Sequence, residues 1–189
     1  GIKVNLITSK ADALLKKLES EGRRSPADVL ITTDAGRLHR AKEAGVLKAA
    51  ISQEALSKVP ENLQDKDKYW VGLTTRARVI VYDKQKVKPS ELSTYEDLAD
   101  PKWKNRICIR SSNNIYNQSL VASMIAQRGE EKTFEWAKQF VKNFARRPQG
   151  GDRDQVKAVA AGKCDLAIVN TYYLGQMLNG NDDAQIQAA

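Results

Sequence analysis

Two adjacent tyrosines, Tyr172 and Tyr173, follow an apolar run that is typical of a buried strand, Leu166-Ala167-Ile168-Val169. In α/β folds, the junctions where strands lead into helices face the ligand crevice, so both phenols are candidates for a binding site. A phenol has a pKa of about 10 and coordinates only after losing its proton, which a hard, highly charged cation can displace. The pair by itself equally fits amphipathic packing residues with solvated hydroxyls.

Two further strand ends carry groups of related chemistry. Arg76 lies just before a predicted strand at 79–82, and its planar guanidinium suits a small oxyanion such as carbonate or phosphate. Ser112 and Tyr116 follow a predicted strand at 106–110, and the helix after them offers amide donors to the same anion. Three phenols and an anion make a hard, oxygen-only ligand set, and phenolate favours iron(III) over zinc or copper(I). This prediction requires the three strand ends to converge.

The sequence carries no constellation typical of a hydrolase, a transferase or a nucleotide-binding enzyme. It contains no G-x-S-x-G, no P-loop and no G-x-G-x-x-G after a strand. His39 is the single histidine, and Cys108 with Cys164 supplies too few ligands for a zinc site. The two cysteines fit either a disulfide formed in an oxidising compartment or two buried thiols. The residues therefore favour a ligand-binding protein over an enzyme.

The composition is that of a soluble globular protein with one or two domains. Of the 189 residues, 41% are hydrophobic and 29% are charged. No apolar run approaches the roughly 18 residues that a membrane span needs. The net charge of +8 raises the question of nucleic-acid binding. The basic residues are interleaved with acidic ones, however, and no aromatic-basic stacking platform occurs, so nucleic acid is not the expected partner.

Alternating strand and helix patterns predict an α/β fold with mostly parallel sheets. Strands are predicted at 2–8, 28–32, 69–73, 79–82, 106–110 and 165–169. Helices are predicted at 11–21, 35–44, 54–58, 93–98, 117–127, 130–144 and 154–161. Asp34 and Ser52 are candidate N-caps of their helices. Phe134 and Val141 recur at helical spacing and are predicted to face the core.

Five segments together resemble one family of proteins. They are Ser25-Pro26-Ala27-Asp28-Val29-Leu30, Gly72-Leu73-Thr74-Thr75-Arg76-Ala77-Arg78-Val79-Ile80, Arg110-Ser111-Ser112-Asn113-Asn114-Ile115-Tyr116-Asn117, Pro148-Gln149-Gly150-Gly151-Asp152-Arg153-Asp154-Gln155 and Asn170-Thr171-Tyr172-Tyr173. In this order they resemble the periplasmic ferric iron-binding proteins, the solute-binding components of bacterial iron(III) ABC importers, and their cyanobacterial members in particular. The resemblance runs over essentially the whole chain.

The resemblance implies a two-lobed, hinge-closing α/β fold of the periplasmic-binding-protein class. It implies part of a first lobe in residues 1–75, a hinge crossover at 76–82, a second lobe at 83–176 and a polar tail at 177–189. It also implies an incomplete chain, which lacks a preceding strand and helix and a C-terminal part of the family's fold.

The resemblance further implies that ferric iron binds in an interlobe cleft through phenolate oxygens. It assigns Tyr116, Tyr172 and Tyr173 as ligands, and Arg76 with Ser112 as the holders of a synergistic carbonate. It implies a periplasmic protein, monomeric when complete, that delivers iron to the membrane permease of an ABC importer and catalyses no reaction. The alternative is a binding protein for another small anion or polar solute, held by Arg76 and a helix N-terminus. A nucleic-acid binder rests on net charge alone.

Overall fold

The computed structural model describes residues 1–180 of the chain. The chain divides into two compact units, Gly1–Thr75 and Arg76–Ala189. The predicted polar tail at 177–189 falls mostly outside the described residues, and its first residues complete a helix that ends at Asn179.

Helices dominate the first unit, and their ends are set by local interactions. They are α1 (Ala11–Glu21), α2 (Ala35–Glu43) and α3 (Gln53–Ser57). Gly22 follows α1 with a φ of 55°, a left-handed conformation that glycine adopts without strain. The Asp34 carboxylate accepts the Gly36 N–H (3.0 Å), and the Ser52 hydroxyl accepts the Ala55 N–H (3.1 Å). The predicted helices of this unit and both N-caps are therefore confirmed.

The predicted strands of the first unit are wrong for the described structure. Residues 2–8 and 28–32 contain no strand, and in 69–73 only Val71 forms an isolated bridge, with Gln64. The side chains that would have faced a core are exposed: Ile2, Val4, Leu6, Val29 and Ile31. An alternating pattern becomes a strand only where a neighbouring chain takes up its backbone hydrogen bonds, and within residues 1–180 these segments meet no such partner.

The second unit is organised around a sheet in which β3 is central. Its strands are β1 (Arg78–Tyr82), β2 (Ile107–Cys108) and β3 (Leu166–Asn170), in the order β1-β3-β2. Parallel pairing joins β2 to β3, whereas β1 runs antiparallel to β3 with Arg78 opposite Asn170. All five residues of β3 are buried, which explains its continuous apolar sequence.

Four helices of the described part of the second unit surround this sheet or prolong its strands. They are α4 (Ile115–Arg128), α5 (Glu130–Val141), α6 (Asp152–Ala160) and α7 (Thr171–Asn179). The helix predicted at 93–98 is instead a short 3₁₀ turn, Glu96–Ala99. None of the helices in residues 1–180 is long and apolar enough to span a membrane.

The buried face of α5 differs from the predicted one. Phe134 and Val141 are 61% and 58% exposed, and the face turned inward carries Trp136 and Phe140. The rings of these two residues stack at 4.6 Å, and Phe140 meets Phe144 edge-on at 4.9 Å. This helix has two apolar faces with helical spacing. The face that carries Trp136 is the one turned inward, because its burial removes the larger apolar area from water.

A disulfide joins Cys108 on β2 to Cys164, two residues before β3. Both cysteines are buried and belong to the same core cluster as Ala167 and Val169. Of the two states that the sequence allows, the structure therefore has the disulfide. The bond ties β2 to the start of β3, whose other end leads into the paired tyrosines.

Candidate metal centre

The paired tyrosines lie in the first turn of α7, and Tyr116 lies in the first turn of α4. Asn170 is the last residue of β3 and precedes α7, so Tyr172 and Tyr173 emerge directly from the end of the central strand. The start of α7 is tied to the chain before β1, because the Thr171 N–H donates to the Ala77 carbonyl (3.0 Å). The Asn114 side chain fixes the start of α4 by accepting the Tyr116 N–H (3.0 Å).

The three phenols predicted as ligands are brought together. The Tyr172 hydroxyl donates to the Tyr116 hydroxyl (3.3 Å), and it accepts a hydrogen bond from Asn170 Nδ2 (3.1 Å). The ring of Tyr173 lies against the ring of Tyr172, with centroids 4.4 Å apart and planes inclined by 44°. We call Tyr116, Tyr172 and Tyr173 the phenol cluster. Its three members are half-buried.

The spacing of two hydroxyls within the phenol cluster suits a shared cation. Oxygens that bind one small, hard cation at about 2 Å each lie no more than about 4 Å apart. The 3.3 Å between the Tyr116 and Tyr172 oxygens meets this limit. Within residues 1–180, no group of three or more His, Cys, Asp or Glu side chains could hold a metal ion. The phenol cluster is therefore the candidate oxygen-donor site of the described chain.

Of the two residues predicted to hold an anion, Arg76 lies beside the phenol cluster. The Arg76 guanidinium carbon is 4.8 Å from the centre of the Tyr116 ring. Ser112 occupies an exposed turn before α4, where its carbonyl oxygen accepts a hydrogen bond from Gln118 Nε2 (3.2 Å). The geometry thus places the predicted anion-binding arginine at the site and leaves the contribution of Ser112 a prediction.

Two further arginines approach the same ring, and the predictions did not assign them to the site. The guanidinium carbons of Arg110 and Arg78 lie 5.3 Å and 5.9 Å from the centre of the Tyr116 ring. Both arginines pair with the buried carboxylate of Asp152: Arg78 Nη1 donates to Oδ2 (2.8 Å) and Arg110 Nη1 donates to Oδ1 (3.0 Å). The backbone N–H of Asn170 also donates to Asp152 Oδ2 (2.8 Å).

Arg78 connects this charge network to the surrounding elements. Its second terminal nitrogen, Nη2, donates to Asn117 Oδ1 (2.8 Å) and to the Ile168 carbonyl (3.0 Å). Nη1 also donates to Asn170 Oδ1 (2.9 Å), and Asn117 Nδ2 donates to the Arg110 carbonyl (2.9 Å). Beneath the phenol cluster, the network therefore joins the strand ends to the starts of α4 and α6.

One signal in the sequence points to this network. A charge at the end of a buried strand is costly to desolvate unless a buried counter-ion pairs with it. Arg78 and Arg110 both flank apolar strand segments, so each requires a carboxylate nearby. Asp152 pairs with both arginines, but it lies 74 residues from Arg78, and local pattern gives no means of choosing it among the acidic residues.

The surroundings raise the pKa of two of the phenols. Burial raises the pKa of Tyr172, and the hydrogen bond with Tyr116 raises it further, whereas donation by Asn170 lowers it. Burial and then the hydrogen bond with Tyr172 raise the pKa of Tyr173 well above 10. Burial lowers the pKa of Arg78, and the adjacent Asp152 carboxylate opposes that change. A cation that binds the phenol cluster must therefore displace protons from it.

Comparison with known proteins identifies relatives over nearly the whole chain. A family model for bacterial extracellular solute-binding proteins matches residues 24–187. Iron uptake protein A1 of Synechocystis is 58% identical over 185 residues, which are 98% of this chain and 51% of that protein. The major ferric iron-binding protein of Neisseria meningitidis is 33% identical over 177 residues, 92% of this chain and 52% of that protein. The chain thus spans about half the length of these relatives.

Solved structures of related proteins have the same fold as this chain. The Trichodesmium protein FutA (IdiA), in complex with iron and citrate, superposes with a TM-score of 0.92 at 54% identity, covering 98% of this chain and 58% of that one. The ferric binding protein from Campylobacter jejuni superposes with a TM-score of 0.90 at 41% identity, covering 99% and 60%. These similarities confirm the predicted α/β fold of the periplasmic-binding-protein class and the resemblance to ferric iron-binding proteins.

Proposed function

This chain belongs to the bacterial extracellular solute-binding proteins, and we propose that it binds ferric iron through the phenolate oxygens of Tyr116, Tyr172 and Tyr173. The observation that carries the proposal is the 3.3 Å hydrogen bond between the Tyr172 and Tyr116 hydroxyls. It places two hard oxygen donors within reach of one cation, and Tyr173 packs against them. One relative is named as a ferric iron-binding protein, and another was solved in complex with iron and citrate. Both support the same ligand.

The binding step exchanges protons for iron. Ferric iron displaces the protons of the phenol cluster, and the three phenolate charges balance those of the ion. Asn170 Nδ2 already donates to the Tyr172 oxygen, and that donation stabilises the phenolate. Because phenolate is a hard, anionic ligand, the site selects iron(III) over zinc and copper(I).

Arg76 is the proposed holder of a synergistic carbonate. Its guanidinium lies against the Tyr116 ring, so an anion paired with it would sit next to the phenol cluster. The guanidinium fork matches the oxygens of carbonate in a bidentate arrangement. Ser112, on the exposed turn before α4, is the second candidate for the same anion.

The proposal extends to a role in iron transport. As in a solute-binding component of an iron ABC importer, the chain would capture iron in the periplasm and deliver it to a membrane permease. It would act as a monomer and catalyse no reaction. Membership of the extracellular solute-binding family supports this role.

A second candidate function is the binding of another small anion. The observation that favours it is the approach of Arg76, Arg78 and Arg110 to the single ring of Tyr116. In that case the tyrosines would form the walls of an anion site. The phenol oxygens distinguish the two functions, since iron binding requires them and anion binding does not.

A visible absorption titration with ferric citrate, with and without bicarbonate, tests the proposal. Iron bound by phenolate gives a charge-transfer band, which we expect in the parent chain and expect to weaken or disappear in Tyr172→Phe. The matched control is Tyr82→Phe, since Tyr82 lies at the opposite end of β1 from Arg78. A folded chain without the band, or a band of parental position and intensity in Tyr172→Phe, would refute the assignment. A folded chain that lacks the band but binds carbonate or phosphate would favour the anion site.

A further inference from the structure

We propose that the buried carboxylate of Asp152 is the positioning residue that holds the phenol cluster in its metal-binding arrangement. The role in metal binding rests on the proposed function. Asp152 does not touch the tyrosines, so it acts on them through other residues. Two separate routes lead from its carboxylate to the phenol cluster.

Asp152 can position other residues because it is buried and both of its carboxylate oxygens accept hydrogen bonds. Its residue is only 1% exposed, and its two oxygens receive Arg78, Arg110 and the Asn170 N–H. These donors come from the start of β1, the chain just after β2 and the end of β3. A buried carboxylate that loses one of them keeps its desolvation penalty, so the three strand ends are held to it.

The first route runs along the end of β3. Asp152 Oδ2 accepts the Asn170 N–H at 2.8 Å, and the Asn170 side chain donates to the Tyr172 hydroxyl at 3.1 Å. The Tyr172 hydroxyl then donates to the Tyr116 hydroxyl at 3.3 Å. A movement of the strand end away from Asp152 would therefore displace two phenols together.

The second route runs through the arginines. Asp152 holds Arg78 and Arg110, and both guanidinium groups lie against the Tyr116 ring. Arg78 also donates to Asn117, the neighbour of Tyr116 in the first turn of α4. Tyr116 is thus fixed through its hydroxyl by one route and through its ring and helix by the other.

The loop before α6 positions Asp152 at the start of the helix. Gly150 has a φ of 66°, and a Cβ at this position would lie 2.6 Å from Asp154 Oδ2. That same oxygen accepts the Gly151 N–H at 2.6 Å, which closes the turn into the helix. Gln155 Nε2 donates to the Gln149 carbonyl at 2.6 Å and anchors the loop from the other side. Asp152 becomes the first residue of α6, where the helix dipole favours a negative charge.

Asp152→Asn tests the proposal because it keeps the size of the side chain and removes its charge. Without the carboxylate, two partly buried guanidinium groups face each other without their counter-ion and must separate. We expect the ring NMR signals of Tyr116 and Tyr172, in ¹³C-tyrosine-labelled apo chain, to shift. We expect the affinity for ferric citrate to fall about 10- to 100-fold, as is typical when residues that orient metal ligands are replaced.

The matched control is Asp165→Asn. Asp165 lies just before β3 and accepts a hydrogen bond from Arg106 Nε at 2.6 Å, so this variant loses an ion pair at the end of the strand opposite to Asn170. We expect its Tyr116 and Tyr172 signals and its iron affinity to match those of the parent chain. A general loss of stability would affect both variants, whereas the proposed positioning role affects only Asp152→Asn.

The outcomes separate this inference from the proposed function. Unchanged tyrosine signals and iron affinity in Asp152→Asn would overturn the positioning role. Shifted tyrosine signals, with no iron binding even by the parent chain, would refute the proposed function and leave the positioning of the phenols standing. If Asp152→Asn does not fold, Asp152→Asn combined with Arg110→Gln removes one unpaired charge and is measured with the same expectations.

Discussion

The hydroxyl of Tyr172 donates a hydrogen bond to the hydroxyl of Tyr116 over 3.3 Å, although 56 positions separate the two residues in the chain. The contact exists because α4 and α7 begin at the same edge of the sheet, α7 directly after β3 and α4 a short turn after β2. This contact makes Tyr116 and Tyr172 a candidate pair of metal ligands.

Replacing Tyr116 by phenylalanine should abolish tight iron binding with little loss of stability. The variant removes a proposed ligand, so we expect a loss of affinity greater than the roughly 10- to 100-fold caused by residues that only orient ligands. The lost hydrogen bond to Tyr172 contributes about 1 kcal/mol or less to the free energy of unfolding. Competition with citrate measures the affinity, and urea unfolding measures the stability. A Tyr116→Phe chain that retains parental affinity would exclude Tyr116 as a ligand.

Iron binding should weaken as the pH falls. Burial raises the pKa values of Tyr172 and Tyr173, so both are protonated in the apo chain near neutral pH and must lose their protons to bind iron. Each proton released changes the apparent affinity about tenfold per pH unit in the pH range below the pKa. Titrations between pH 6 and pH 8 at constant free iron(III) activity measure the slope. An affinity independent of pH would mean that the phenols stay protonated in the complex.

The same raised pKa values predict that the apo chain loses stability at alkaline pH. Unfolded tyrosine has a pKa of about 10, and in the folded chain burial raises the pKa values of Tyr172 and Tyr173 above that value. The stability from these groups is therefore fully present below pH 10 and is lost as the pH rises from there through the folded-state values. Urea unfolding of the apo chain at pH 8 to 11 tests this expectation. The loss should be smaller in Tyr173→Phe, and an equal loss there would contradict the attribution to these phenols.

Arg76 should control any dependence of iron binding on bicarbonate. If its guanidinium holds a carbonate beside Tyr116, Arg76→Gln should bind iron with the same affinity in the presence and absence of bicarbonate. The control is Arg24→Gln, which removes an exposed arginine from the first unit. A bicarbonate effect that persists in Arg76→Gln would place the anion elsewhere.

The disulfide should contribute strongly to the stability of the second unit. Cys108 and Cys164 are 56 residues apart, and the chain-entropy model gives about 4 kcal/mol for closing a loop of that length. We expect the Cys108→Ala/Cys164→Ala variant to lose free energy of unfolding on this scale, measured by urea denaturation. A change below about 1 kcal/mol would show that the entropic account does not apply to this loop.

Local features of the sequence predicted the three helices of the first unit. Gly22 ends α1 and Asp34 caps α2, and each acts on neighbours within a few residues. The strands of the first unit failed because a strand depends on a distant partner, and the alternation of Ile2 and Val4 does not supply one. On α5, two apolar stripes both have helical spacing, and only the packing of Trp136 decides between them.

The candidate site shows the same division between local and distant information. Tyr172 and Tyr173 could be singled out because two phenols directly follow an apolar strand, and Tyr116 because it follows another strand. The role of Asp152 could not, because its partner Arg78 lies 74 residues away and their pairing exists only in the folded unit. Residue types indicate the ligand chemistry, whereas the network that positions those residues is a property of the fold.

Resonance Raman spectroscopy of the chain loaded with ferric citrate, excited within the visible absorption band, tests the central claim most directly. Enhancement is confined to groups bonded to the absorbing metal centre, so tyrosinate ring modes report coordination itself. We expect strong tyrosinate modes in the parent chain, weakened or lost in Tyr172→Phe and unchanged in Tyr82→Phe. A spectrum of iron-loaded chain that shows only citrate modes would contradict the assignment of iron to the phenol cluster.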